Sequence, residues 1–438
     1  MPAEKNKRGT EKYEGTEKYE GTEMKIMILG SGGREHAILK KLSENKNIKK
    51  FYVLPGNAGM QDLAECVDIR ATDLEGVCSF AKEKKIDFAV VTPDDPLAIG
   101  MVDRLEAIGV PCFGPDQKAA RIESSKIFSK TLMVKYGIPT ASFRKFENES
   151  EAMTYVQNIS CPTVIKADGL ALGKGVYIAQ NREEACRAVR ELMEEKKFGN
   201  SGMKILVEEY LTGPEVSVLS FTDGSTLIPM ISSMDHKRIG DGDTGPNTGG
   251  MGAIAPNPYY TKEIAQECME KIFLPTIRAM KEEGCPFCGC LYFGLMLTKD
   301  GPRVIEYNCR FGDPETQAVL PLLKSDLFSI MEAVRNGNLA EVPVEFSEDH
   351  SCCVVMASGG YPGNYEKGKV IRFGSGKETV YHAGTGKTES GEIVTAGGRV
   401  LGVTAVRHTA EEARKASYDA VGEISFEGAC YRHDIGTK

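Results

Sequence analysis

The segment KIMILGSGGREH, residues 25–36, constrains the fold of this chain more than any other. Its five-residue opening run is short, mostly apolar and closed by glycines, the signature of a buried strand. Helical spacing follows from Arg34 to Leu42. The pattern then repeats: FYVL (51–54) stops at Pro55-Gly56, and DFAVV (87–91) precedes a helix-like stretch over 97–108. Short apolar strands alternating with helices predict a parallel sheet covered on both faces. Ligand sites in such sheets lie beyond the carboxyl ends of the strands. Those ends carry GSGGREH (30–36), PGNAG (55–59) and TPDDP (92–96).

A different block opens after a helix over 124–136. TVIKADG (163–169) and KILVEEYL (204–211) read as strands around a glycine-rich loop and a helix over 182–195. LYFGLML (291–297) and RVIEYN (303–308) follow a long helix over 261–283. From Ser351 the runs CCVVMAS, KVIRF, TVYHAG and VTAGGRVLGVTAV predict antiparallel strands, closed by a helix over 409–424. A chain of 438 residues exceeds one ordinary core. The expected organisation is α/β and α+β multidomain. Residues 1–23, with their GTEKYE repeat, are expected to be a disordered tail or tag. A parallel α/β domain covers 24–123, and a central α+β domain covers 124–345 with a lid subdomain over about 140–212. A small α+β domain covers 346–438.

A net charge of −8 argues against a nucleic-acid or membrane-surface binder. No stretch approaches the roughly 18 apolar residues of a membrane span, and the polar N-terminus is not of secretory type. Thirteen cysteines without framework spacing fit reduced thiols in a cytoplasmic protein. Cys285, Cys288 and Cys290 are either a zinc site short of a fourth ligand or buried strand-edge thiols.

Several segments carry chemistry. GSGGREH has Glu35 where a dinucleotide fingerprint needs glycine or alanine, which argues against a nicotinamide cofactor. The loop either presents N–H groups to a phosphate or is a tight strand-to-helix turn. KADGLALGKGV (166–176) sets Lys166 and Lys174 around Gly169, Gly173 and Gly175 without Walker spacing, which suits a lid over nucleotide phosphates. Glu208 and Glu209 end a strand before Tyr210 and Leu211, whose backbone can meet an adenine ring. Glu215 can accept ribose hydroxyls, though such glutamates are as readily surface charges. In VIEYNCRFGDPETQ (304–317), Glu306 and Asn308 share a strand face and offer two hard oxygens to magnesium. Arg310 can grip a carboxylate or phosphate, and Asp313-Pro314-Glu315 adds charge in a turn. The polar loop 235–252 offers Asp235, His236, Lys237, Asn247, Thr248, Gly249 and Gly250 to a small polar substrate.

GGREHA, PGNAG, IKADGLALGKGV, DHKR, DTGPNTGGMGA, EYNCRFGDPETQ and AGGRVLGVTA, in this order from Met24 onward, resemble the ATP-grasp ligases and, within them, the glycinamide ribonucleotide synthetases. The resemblance implies a pre-ATP-grasp N-terminal domain and an ATP-grasp core of two α+β subdomains holding ATP with Mg2+ or Mn2+. It implies ligation of glycine to 5-phosphoribosylamine through glycyl phosphate, releasing ADP and phosphate, in a monomer or weak dimer. By the same resemblance Lys126, Lys166, Gly173, Lys174 and Gly175 contact the ATP phosphates. Glu208, Glu209, Tyr210, Leu211 and Glu215 hold adenine and ribose, and Glu306 and Asn308 bind the metal. Arg310, Asp235 and Lys237 are the catalytic set, with Asn247, Thr248, Gly249, Gly250, Asp313 and Glu315 around the substrates. Gly32, Gly33 and the loop Pro55, Gly56, Asn57 receive phosphoribosylamine. The chain departs from the family at TPDDPL (92–97), where Asp94 replaces a glutamate, and at Ser124 and Pro214. A different ATP-grasp ligase would lack DHKR and the FGDPE turn, and a non-catalytic relative would lack the metal ligands or lid lysines.

Overall fold

A computed structural model describes residues 24–170, 175–195, 197 and 199–437. The expected tail over 1–23 and two of the expected phosphate contacts, Gly173 and Lys174, lie outside the described residues.

The N-terminal sheet is parallel throughout. Its strands β1 (Met24–Gly30), β2 (Ile48–Pro55), β3 (Glu65–Cys66), β4 (Phe88–Val91) and β5 (Cys112–Phe113) run in the order β3-β2-β1-β4-β5. Chain order reverses beside β1, and helix α1 (Gly33–Leu42) starts there. Strand period 2 divides the apolar residues between the two faces. Met27, Leu29, Ala89 and Val91 enter one core cluster, Ile26, Ile28, Phe88 and Val90 the other. Both clusters continue into the central domain, through Phe293 and Val304 on one side and Phe221 and Phe311 on the other. The helix expected over 97–108 is two short helices, Asp94–Ala98 and Met101–Ala107.

The central domain holds two antiparallel four-stranded sheets. The base sheet joins Leu227–Pro229, Glu215–Asp223, Cys288–Thr298 and Gly301–Asn308. The lid sheet joins Phe143–Phe146, Ile205–Glu209, Thr163–Ala167 and Val176–Ala179, over a separate core that includes Phe146, Ile165, Leu192 and Ile205.

The C-terminal sheet recruits Met234–Asp235 and Gly252–Ala255 from the middle of the chain. They extend His350–Ser358, Arg399–Arg407 and Thr379–His382. The loop between residues 235 and 252 is therefore anchored to the C-terminal sheet at both ends. KVIRF (369–373), expected as a strand, makes only isolated bridges, Val370 to Val394 and Arg372 to Ser425. All thirteen cysteines are free. Cys285 packs into one core cluster, Cys288 and Cys290 against the other.

Candidate active site

A cavity of about 980 Å3 opens where lid, base, N-terminal and C-terminal elements meet. The base strand Gly301–Asn308 supplies its floor. Glu306 pairs with Gly294 and Asn308 with Tyr292, but the register slips at Gly294, leaving Ile305 without a partner. Such a bulge disrupts the ladder locally. The Ile305 carbonyl accepts instead from Lys166 Nζ of the lid at 3.0 Å. A Cβ at position 294 would come within 3.0 Å of Glu306 Cγ, so the glycine leaves that side chain its room.

Charge converges on Glu306. Burial alone would raise its pKa, yet Lys237, Lys166, Lys126 and Arg310 pull it below the ordinary value. Burial opposes the charge on Lys237, but Glu215 (2.9 Å) and Glu306 (3.7 Å) hold its pKa well above normal. Lys126 Nζ donates to Gly169 O at 3.3 Å. Glu306 and Asn308 both line the cavity. Their ionised and amide oxygens suit a hard divalent cation, so the residues present fit Mg2+. Among the described residues no group of three or more His, Cys, Asp or Glu could hold an ion. An ion on this pair would complete its shell with substrate phosphates and water, as Mg2+ commonly does.

Beside this centre lies an acidic pocket. Burial and then the charge of Glu315 push the Asp235 carboxyl well above its ordinary range. Asp235 Oδ1 has no hydrogen-bond partner among the described residues. Glu315 is buried, within 3.5 Å of Ser217 Oγ. Gly250 makes this pocket possible: its φ is +112°, and a Cβ there would sit 2.6 Å from Asp235 Oδ1 and 2.4 Å from Pro314 Cδ. The opposite wall is cationic. Arg310 pairs with Glu123 at 3.1 Å, and its Nε has no hydrogen-bond partner among the described residues. Burial raises the Asp94 carboxyl, but Arg310 and then Arg34 outweigh it and keep its pKa low.

The cavity brings together most of the expected residues: Lys126, Lys166, Gly175, Glu208 to Leu211, Glu215, Asp235, Lys237, Asn247 to Gly249, Glu306, Asn308, Arg310, Asp313 and Glu315. The three glutamates expected at adenine and ribose are already engaged: Glu209 accepts from the Ser142 N–H and hydroxyl at 3.2 and 3.1 Å. Glu208 is 3.0 Å from both Lys130 and Lys166 in a buried triad, and Glu215 is held by Lys237. Gly32, Gly33, Pro55, Gly56, Asn57 and Gly250 are not part of the lining. The Gly32 N–H donates to Glu35 at 2.6 Å and the Arg34 N–H to Asp313 at 3.1 Å, so α1 spends these donors on the protein's own carboxylates. Asn57 is buried and donates to Ser31 O and His382 O, tying the N- and C-terminal domains. Sequence reasoning missed Arg34, Asp94, Glu123, Lys130 and Arg399 as site residues. Arg34 and Arg399 sit inside the motifs GGREHA and AGGRVLGVTA, which was the available signal. Glu123 and Lys130 had none.

Three sequence-family models match the chain. Phosphoribosylglycinamide synthetase N domain covers residues 24–123, the ATP-grasp (A) domain 124–316 and the C domain 351–438. A phosphoribosylamine–glycine ligase of Caldanaerobacter subterraneus is 49% identical over 94% of this chain and 99% of its own length. The crystal structure of phosphoribosylamine–glycine ligase from Thermotoga maritima superposes with a TM-score of 0.83 at 34% identity, covering 94% of this chain and 100% of that one. The biotin carboxylase domain of Hydrogenobacter thermophilus 2-oxoglutarate carboxylase, solved with MgADP and bicarbonate, shares the fold alone: TM-score 0.72 at 17% identity, over 93% of this chain and 91% of that one.

Proposed function

Since the chain belongs to the phosphoribosylglycinamide synthetase family, we propose that its three-domain cavity is where glycine, ATP and 5-phosphoribosylamine meet. The enzyme is a phosphoribosylamine–glycine ligase of purine biosynthesis, forming glycinamide ribonucleotide, ADP and phosphate. The observation that carries the residue assignment is the convergence of Lys126, Lys166, Lys237 and Arg310 on Glu306.

In this reading Glu208 to Leu211 receive adenine along the exposed strand exit, and Glu215 lies at the ribose. Lys126, Lys166 and the loop through Gly175 face the phosphates. Mg2+ or Mn2+ would be held by Glu306 and Asn308, supplying charge neutralisation of the phosphates. Arg310, with its unpartnered Nε, takes the glycine carboxylate. Asp235 and Glu315 take the glycine ammonium, a cation whose charge favours the ionised form of Asp235. A carboxylate oxygen of glycine attacks the terminal phosphoryl group, ADP leaves, and the amine of phosphoribosylamine displaces phosphate from the acyl carbon. The lid excludes water from the acyl phosphate. The N-terminal contribution is Arg34 and Asp94, cation and acceptor for a phosphorylated amine, with Gly32, Gly33 and Pro55 to Asn57 shaping the backbone behind them. Thirteen unpaired thiols support a reducing, cytoplasmic setting.

The test is ADP release with glycine and phosphoribosylamine supplied together and then each omitted, the labile amine being generated in the cuvette. Release that needs both is expected. Release with another acid in place of glycine would point to a sister ligase, and none at all, from folded protein that binds ATP, to a non-catalytic relative.

A further inference from the structure

Arg399 opens a strand of the C-terminal sheet, and its side chain reaches back across the domain boundary. Its Nη1 lies 2.6 Å from Gly249 O, 3.3 Å from Gly250 O, 2.7 Å from Asp313 O and 3.3 Å from Asp313 Oδ1. These acceptors belong to the two loops that carry the acidic pocket. Gly250 abuts Asp235 and Pro314, and Glu315 follows Pro314 directly. The first loop is tied onward to the catalytic centre, because the Thr248 N–H and hydroxyl both donate to Lys237 O, at 2.7 and 2.8 Å. Gly249 has no side chain to hold the guanidinium off: a Cβ there would meet Arg399 Cζ at 2.9 Å. A second C-terminal group acts on the same loop, since Tyr361 Oη accepts from Gly249 N–H at 3.0 Å.

We propose that Arg399 is a positioning residue of the amino-acid subsite, fixing the separation of Asp235 and Glu315 by clamping the Gly249–Gly250 and Asp313–Pro314 backbones together. The C-terminal domain thereby sets the affinity for the small amino acid without touching it. The proposal rests on the assignment of glycine to the pocket between Arg310, Asp235 and Glu315. It separates the two substrates. The ATP contacts lie on the base strand, the lid and Lys126, none of which Arg399 bonds.

The experiment compares steady-state KM values for glycine and ATP in wild type, Arg399→Lys and Arg399→Ala, with thermal melting of each. A lysine keeps the charge, but its shorter side chain cannot bring an ammonium to the place of Nη1 between the three carbonyls, so Arg399→Lys should raise the glycine KM about tenfold and leave the ATP KM within about twofold. Should Arg399→Ala fail to fold, the lysine variant carries the test. An unchanged glycine KM in Arg399→Lys, or equal rises for both substrates, overturns the proposal. Arg310→Lys, assayed alongside, distinguishes the failures. If it raises the glycine KM while Arg399→Lys does not, only the positioning role falls. If neither moves it, the amino-acid subsite itself is misassigned.

Discussion

Glu306 and Asp235 are two partly buried carboxyls of opposite habit. Cations overcome the burial of Glu306 and keep it ionised. Its removal should lower kcat by about a hundredfold or more while the fold survives, because the neighbouring lysines retain other partners. Lys166 keeps Glu208 and the Ile305 carbonyl, and Lys237 keeps Glu215. ADP release and thermal melting of Glu306→Ala check this; an active variant at ordinary Mg2+ would remove the metal assignment. Burial and then Glu315 hold the Asp235 pKa well above the ordinary 3.8, against the pull of Lys237 and Arg399. The native state then keeps a proton that the unfolded chain gives up. Stability from this site is full below the ordinary value and is lost as pH rises through the native one. Asp235→Asn cannot ionise, so its melting temperature should gain on wild type as pH rises from the ordinary 3.8 toward the higher native value. Under the proposed function glycine KM should rise in the same variant, since the amide cannot give up a proton to meet the ammonium. Parallel melting curves would show that Asp235 is ionised throughout.

At the scale of elements, the lid meets the helix Lys126–Lys135 through buried charged groups. Lys130, on the helix Lys126–Lys135, and Lys166, on the lid strand Thr163–Ala167, share Glu208, all three side chains under 5% exposed. Burial lowers Lys130 to about 8 even with Glu208 beside it. Glu208→Gln would leave two ammonium groups buried against a neutral amide. Breaking a buried pair in this way costs about 3–5 kcal/mol, to be read from denaturant unfolding. A cost of under about 1 kcal/mol would mean that water reaches the triad.

Across the whole molecule, the N-terminal domain is locked to its neighbours on two sides. Two core clusters run from its sheet into the base. On the other side, α1 lies against the C-terminal strand Thr379–His382, where the His382 N–H donates to His36 Nδ1 at 2.9 Å. That bond needs an unprotonated ring. Burial, then the neighbouring His382 and Lys40, lower His36 to about 3, and burial with Lys40 lowers His382 to about 4. Unfolded histidines take up protons near 6.5. Between that value and the native ones the unfolded state binds more protons, so stability falls as pH falls below about 6.5. The melting temperature should drop between about pH 7 and 5, and less steeply in His382→Gln, which has one titrating ring fewer. Equal slopes would place the acid sensitivity elsewhere.

The sequence by itself determined what depends on near neighbours along the chain. Apolar period and glycine punctuation specified the parallel sheet, while KVIRF, with the same local pattern, found no continuous partner strand. The two-residue step of a strand put Glu306 and Asn308 on one face, and the motif order marked the ligase. Only the tertiary structure decided which charges face each other. Lys166 meets the carbonyl freed at Ile305, 139 residues away, and Arg399 meets Asp313 across 86. The glycines at the start of α1, which invite a phosphate when read in sequence, give way to Arg34 and Asp94 as the N-terminal residues facing the cavity. Spacing carries no information about such partners, because Coulomb energy and hydrogen bonding depend on distance through space, and that distance is set by how the domains pack.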